Sequence, residues 1–394
     1  MAIQGCPFHV PDDPASLIHA PKRPEGLLDW DARNLSSLKH SHRFHFAPVN
    51  RSLDDWYGAM YASQFRRNCS RLLLVDDDMN MSGLGFTAKI WGFALLLAVR
   101  DDRVLIEGSA LQNRSRWCDR APFSFQCLYE PWTHCARPPR GTPEAVPGGR
   151  PMMLSKWPRR AAVVHTTLGR IHRQGRIWYY SQRSPVPAAI KFLFRPRAWV
   201  KAIGNCMLRN AGLDQGKFIS IHIRHSVEKM NEGHKLHYQL PQFLAYHNLA
   251  KALLSGVGTR DVFLQTSSLI ALQDFANFSR RHNVSVHYTD NPRSEHDTWG
   301  GWMTGSEMLQ ALVGAVNAYV STHASVIASP GTSQWTAFLK ALIQRTDTLN
   351  GTAVVVRCQP SMGRAGWFGV FGPNVSGTMR PLNLNCKRDR NEEK

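Results

Sequence analysis

The chain has 394 residues, 43% of them apolar, with 48 Lys and Arg against 29 Asp and Glu, a formal net charge of +19. That length and apolar share build one large or two ordinary globular domains and exclude a disordered or fibrous polymer. The positive balance points to anionic partners such as nucleic acid, anionic lipid, acidic glycan or phosphorylated small molecules. It does not choose among them, because the Arg residues are spread along the whole chain.

Residues 1–60 are rich in Pro, His, Arg and Asp and read as an irregular N-terminal arm. MAIQGCPFHVPDDP is not a signal sequence, and the best apolar run, Ile90–Val99, is too short to span a bilayer. From residue 61 strands and helices alternate. RLLLV (71–75) is a short apolar run of the kind found in a strand covered on both faces. The turn DDDMNMSGLG, the helical stretch TAKIWGFALLLAV and the strand RVLIE (103–107) follow, which makes one βαβ unit. Residues 108–160 form a long irregular excursion with Trp117, Trp132, Cys118, Cys127 and Cys135. AAVVH (161–165) reads as a strand, and 188–210 as a basic amphipathic helix interrupted at Pro196.

From residue 216 the alternation is cleaner. FISIHI, DVFLQT, VSVHY, AYVST, SVIAS and VVVRC read as strands. PQFLAYHNLAKALLSG reads as a helix with Pro241 in its first turn and Gly256 at its stop. SSLIALQDFANFSRRH follows with Ser267 or Ser268 as N-cap, then GSEMLQALVGAVNA and GTSQWTAFLKALIQ. The pattern predicts an α/β fold, mostly parallel and right-handed, in two Rossmann-like lobes with a cleft between them: 61–215 and 216–394.

Ligands of open α/β sheets bind beyond the carboxyl ends of the strands. In KFISIHIRHSVEK (217–229) such an end gathers His222, Arg224, His225, Glu228 and Lys229. A second, Ser329-Pro-Gly-Thr-Ser-Gln334, offers Thr332, Ser333, Gln334 and free backbone N–H groups at a helix start, an anion seat. Each alone reads as a loop before a capped helix. Both in one domain would bracket a diphosphate, with Arg224 as bidentate partner. MSGLGF (81–86) is a third candidate: Gly83 and Gly85 would let a ligand approach the backbone, but G-x-G-x-x-G is incomplete at Ala88.

Other features keep rival readings open. Asp76-Asp77-Asp78 after a strand would hold Mn²⁺ in a metal-dependent glycosyltransferase, or form a solvated turn. The basic surface would also suit a non-catalytic glycan-binding protein. Trp299 and Trp302 fit sugar stacking or packing. No nucleic-acid-binding motif, C-x-x-C pair or G-x-S-x-G is present, so neither nucleic acid, zinc nor a serine hydrolase is indicated. N-x-[ST] acceptors start at Asn34, Asn50, Asn68, Asn80, Asn113, Asn277, Asn283, Asn350 and Asn374, where chance gives roughly two or three. Eight Cys, an even number, lean the same way, although spread over this length they could equally be reduced core thiols; the expectation is an oxidising lumen or the outside of the cell, with a membrane anchor absent from this chain.

The order of these pieces resembles the fucosyltransferase superfamily, most closely the α1,6 type of the core-fucose and nodulation-factor enzymes. That family carries H-x-R-R-T-D-K at a strand end, a later T-D-x strand end and an S-S-Q-type loop before a helix. Here stand His222-Ile-Arg224-His225-Ser226-Val227-Glu228-Lys229, Gln265-Thr266-Ser267 and Thr332-Ser333-Gln334. CSRLLLV, SGLGF, RVLIE and CLYEPWTHC match the family's N-terminal half, so the likeness covers about residues 65–360.

The resemblance implies a GT-B-like fold, with the acceptor on the first lobe and GDP-fucose or a related nucleotide sugar on the second. It implies a Golgi enzyme acting on a glycan or glycoprotein by inversion, with no metal or other cofactor. Arg224 would hold the β-phosphate and His222 would line the pocket. Ser333 and Gln334 would meet the phosphate or guanosine, Lys229 would neutralise the diphosphate, and Glu232 would be the base. Cys69 and Cys135 are a candidate disulfide. The departures are His225 for the second Arg, an inserted Val227, Glu228 for Asp, Ser267-Ser268 for Asp-Asp, and Gln310 where an acid would read guanine. His225 would be only partly charged near neutral pH. The family's stem and SH3-like domain have no counterpart here, so a core N-glycan acceptor does not follow.

Overall fold

The structure is a computed structural model. It describes residues 2–3, 5–7, 53–66, 68–76, 83–108, 128–135, 138, 142, 144–145, 161–175, 185–225, 242–291, 293, 307–331, 333–343, 354–357 and 367–371. These fall into two compact units. One holds the described residues from 53 to 197, the other residues 2–7 and those from 198 on.

The chain opens with an antiparallel ribbon, β1 (Ala2–Ile3) and β2 (Cys6–Pro7). The next element, α1 (Leu53–Gln64), begins inside the stretch expected to be irregular. Its buried stripe is Trp56, Ala59, Met60 and Ser63. The spacing is helical, but Ala and Ser give it little apolar contrast.

The first sheet is built from β3 (Leu72–Asp76), β4 (Val104–Glu107), β5 (Glu144–Ala145) and β6 (Val163–Thr167). Its order is β4-β3-β6-β5, with every pair parallel. Between β3 and β4 runs α2 (Leu84–Arg100), apolar on all sides and buried at 14 of its 17 residues, as befits an enclosed helix. It packs on α3 (Leu168–Gly175) and α4 (Val186–Leu193). The edge strand β4 is closed by a side chain: buried Gln64 Oε1 accepts from Leu105 N at 2.9 Å. Part of the positive charge is structural. Arg103 is fully buried and donates to the carbonyls of Leu72, Ala162 and Ala161 at 3.2, 3.2 and 2.8 Å. Burial pulls its pKa down to about 10. Arg66 and Arg71 share Asp102.

Helix 188–210 is split at Pro196 as expected, into α4 and α5 (Ala198–Asn210). The break between the units follows Arg197, ahead of residue 216, because α5 packs in the second unit.

That unit continues with β7 (Ile219–His222), α6 (Phe243–Val257), β8 (Asp261–Gln265), α7 (Leu269–His282), β9 (Ser285–His287) and α8 (Glu307–Ser321). It ends with β10 (Val326–Pro330), α9 (Gln334–Ile343), β11 (Val354–Arg357) and β12 (Trp367–Phe371). The sheet order is β11-β12-β10-β7-β8-β9. Strands β10, β7, β8 and β9 are parallel, and β12 is antiparallel to both neighbours. Ile219, Ile221, Val262 and Leu264 pack on Leu249, Leu253 and Phe275 of α6 and α7. Tyr319, Val320 and Ser321 of the AYVST segment complete α8 and are not a strand: its buried Ala311, Leu312, Ala315 and Val316 continue a helical stripe that outweighs a local β-branched residue. Helix α6 passes Gly256 and stops at Gly258, whose φ of 70° makes the left-handed cap. Ser268 caps α7 through Ala271 N at 3.2 Å.

Two disulfides join described cysteines. Cys69–Cys135 is the expected pair, and Cys6–Cys206 ties β2 to α5. No described helix is long and apolar enough to cross a membrane.

Candidate functional site

Strand order defines the site in the second unit. From β7 the chain moves outward through β8 to β9, then returns to place β10 on the other side of β7. The switch point therefore lies between β7 and β10, where an open α/β sheet has its ligand crevice. His222 ends β7, and Ser329 lies near the end of β10. The two meet there, with His222 Nδ1 2.9 Å from Ser329 Oγ.

A hydroxyl chain continues from that contact. Ser329 Oγ lies 2.6 Å from Thr336 Oγ1, which also donates to Pro330 O at 2.6 Å. Burial, with the nearby Arg224 guanidinium, pushes His222 down to about 3. The imidazole is therefore neutral at physiological pH and serves as a hydrogen-bonding wall. Arg224 is half-buried two residues beyond the strand, and its charge reaches His222 and Tyr246. Burial pushes the Tyr246 phenol up.

Helix α9 starts on the other side of the switch. Much of its first turn is satisfied from within: Ser333 N donates to Pro330 O at 2.9 Å, Trp335 N to Ser333 Oγ at 3.3 Å and Thr336 N to Ser333 O at 3.1 Å. The loop therefore offers fewer open N–H groups than its composition predicts. Gln334 Oε1 is buried without a hydrogen-bond partner among the described residues. Trp335 is held firmly. Its Nε1 donates to Gln265 Oε1 at 2.9 Å, and Gln265 Nε2 donates to Ser220 and Ser321 at 2.8 and 2.6 Å. The indole stands 6.3 Å from the His222 ring.

The structure thus brings His222, Arg224, Ser333 and Gln334 to one end of one sheet. His225 follows Arg224 but is turned to packing: its ring lies 4.1 Å from that of Phe243, and burial lowers its pKa against the opposing pull of Asp274. Lys229, Glu232 and Thr332 lie outside the described residues, as do Asp77, Asp78, Trp299 and Trp302. Gly83 and Gly85 belong to the other unit, at the start of α2. Gly83 has φ −67° and ψ 160°, a backbone open to any residue. Asp76, the described member of the acidic triple, is engaged by His165 at 2.5 Å. Cys69, His134 and Cys135 cluster with metal-like spacing, but the two sulfurs are bonded to each other.

Sequence reasoning passed over Trp335 and Thr336, although both directly follow Gln334 in GTSQWT. Arg293 was also missed. It donates to the carbonyls of Thr266, Asn291 and Thr289 at 3.1, 3.1 and 2.7 Å, which clamps the chain beyond β8 and β9. A basic depression lined by Lys217, Lys251, Arg260 and His282 sits at the opposite, amino, edge of these strands, away from the switch point.

No protein-family model matches the chain, and no curated protein does. Among solved structures it is similar to a point mutant of Arabidopsis thaliana FUT1 in complex with GDP, at 10% identity and a TM-score of 0.45 over 88% of this chain and 84% of that one. It is also similar to POFUT1 in complex with GDP, at 9% identity and a TM-score of 0.38 over 71% of this chain and 97% of that one. POFUT1 in complex with GDP-fucose gives the same values.

Proposed function

We propose that the chain is an inverting, metal-independent glycosyltransferase that moves fucose from GDP-fucose to a glycan or glycoprotein acceptor in the secretory pathway. The observation that carries this is the His222–Ser329 contact across the switch point, with Arg224 and the start of α9 beside it. In this reading Arg224 takes the β-phosphate and stabilises the negative charge that grows on departing GDP. Neutral His222 donates to or accepts from the nucleotide without adding charge. Gln334 Oε1 accepts from a guanine N–H or a ribose hydroxyl, which satisfies its buried acceptor. Lys229 and Glu232 keep the roles the motif implies. In this reading the unit that ends at Arg197 carries the acceptor and the one that resumes at Ala198 carries the donor.

The test is transfer of labelled fucose from GDP-fucose to a glycan mixture, with EDTA and with added Mn²⁺. Transfer that EDTA leaves unchanged supports the reading. Transfer that requires Mn²⁺ favours a metal-dependent enzyme. No transfer, with salt-sensitive glycan binding instead, favours a basic binding protein.

A further inference from the structure

In the second unit the chain enters the parallel strands β7, β8 and β9 along one edge of the sheet, and four basic residues gather there. Lys217 precedes β7, Arg260 precedes β8, His282 ends α7 just before β9, and Lys251 stands on α6. All four are exposed and line a depression of about 850 Å³. That size is ordinary for a small-ligand cleft. Its floor is pinned. Thr259 Oγ1 donates to Lys217 O at 2.7 Å and accepts from Asp261 N at 3.2 Å, and Ser285 N donates to Arg260 O at 2.9 Å. The backbone that carries Lys217 and Arg260 is therefore held before any ligand arrives. Asp261, the one acid among the described lining residues, has its Oδ1 3.2 Å from His287 Nε2. No Trp, Tyr or Phe is among the described lining residues, and the aliphatic ones, Leu254 and Val284, are buried. The length of β8, about 15 Å, separates this edge from the switch point.

We propose that this depression binds an anionic glycan, a short sugar chain that carries sulfate or carboxylate groups. The site lies within one unit and does not depend on the transferase reading. Charge complementarity carries the inference, because a concave surface of one sign focuses the field and concentrates anions. Lys217, Lys251 and Arg260 stand on three different segments, which matches charges spaced along a sugar chain. A single phosphate is held instead by a close fork of Arg. With no aromatic platform among the described residues, the hollow offers a nucleobase nothing to stack on. A membrane surface needs exposed apolar side chains to insert, and here the aliphatic ones are buried. Exposed Gln215 and Ser255 add an amide and a hydroxyl that suit sugar hydroxyls.

The experiment titrates the full chain with a heparin tetrasaccharide by calorimetry. Binding should saturate and weaken about tenfold or more between about 50 and 200 mM salt, as counterions return to the freed polyanion. Lys217→Gln, Lys251→Gln and Arg260→Gln should each weaken it about two- to fivefold, and all three together about tenfold or more, with the urea midpoint unchanged. The control replaces Lys201, Arg209 and Arg280 of the same unit by Gln; it removes the same charge outside the depression and should change affinity less than about twofold. A tetrasaccharide stripped of sulfate but keeping its carboxylates distinguishes the two anionic groups, and binding through either supports the proposal. A control variant as weak as the depression variant means diffuse attraction to a basic surface and overturns it. So do a folded wild type that does not bind, an unchanged affinity in the depression variant, and equal affinity for hexaglutamate or a single-stranded oligonucleotide. An equal loss in Arg224→Ala would move the glycan to the switch point and overturn it as well.

Discussion

The Gln265–Trp335 link predicts a measurable coupling between two residues far apart in the chain. Gln265 is 3% exposed and holds Ser220, Ser321 and Trp335 at 2.8, 2.6 and 2.9 Å. In Gln265→Leu the serines keep partners, because Ser220 Oγ and Ser321 Oγ are 3.0 Å apart and Ser321 donates to Asn317 O at 2.7 Å. Trp335 Nε1 loses its acceptor. One orphaned donor costs about 1–3 kcal/mol, and two weakened serine contacts add about 1 kcal/mol, so the expected loss is about 2–4 kcal/mol. Trp335 is partly exposed, which allows water to rescue the indole and favours the lower end. Trp335→Phe strands Gln265 Oε1 instead, at about 1–3 kcal/mol. The double variant strands neither, so it should be about 1–2 kcal/mol less destabilised than the sum. Urea unfolding of the four proteins measures this. Additivity within about 0.5 kcal/mol would refute the claim that this contact holds the indole at the switch point.

Two further outcomes follow from the same structure. The native His222 stays neutral down to about 3, whereas the unfolded residue binds a proton near its ordinary value of 6.5. The stability this confers is complete above pH 6.5 and is lost as pH falls from there toward 3. Between pH 8 and 5 the loss is at most about 2 kcal/mol, less to the extent that water reaches the partly buried ring. Urea midpoints at both pH values should converge in His222→Asn, and an unchanged difference would contradict the buried neutral imidazole. The Cys69–Cys135 bridge spans 66 positions. Replacing both cysteines by Ser should cost about 4 kcal/mol through loop entropy, read as a lower urea midpoint under oxidising conditions, and a loss below about 1 kcal/mol would contradict a formed bridge.

Much of the second unit was legible because its signals are local. The run FISIHI, the helical period of 243–257 and the Ser268 cap each act within one or two turns of chain. The segment AYVST was misread because a β-branched residue at a helix end looks like a strand until its neighbours in space are known. The antiparallel WFGVF strand depends on both its partners, β10 and β11, which the sequence does not place beside it. At the site, His222 and Ser333-Gln334 could be found as strand-end residues. Their meeting could not, since strand order is a long-range outcome of packing. The 70-position gap between Gln265 and Trp335 hid that link for the same reason. Cys69 and Cys135 lay within segments that already had a pattern, while Cys6 lay in an arm that had none.

The central claim is tested most directly by calorimetric titration of GDP into the purified chain, with and without EDTA, beside Arg224→Ala. The account predicts saturable binding that EDTA does not change and that weakens at least tenfold in the variant, about 1.4 kcal/mol or more. A folded wild type that gives no heat with GDP, or a variant that binds as tightly as the wild type, would contradict a diphosphate seat at the β7–β10 switch point.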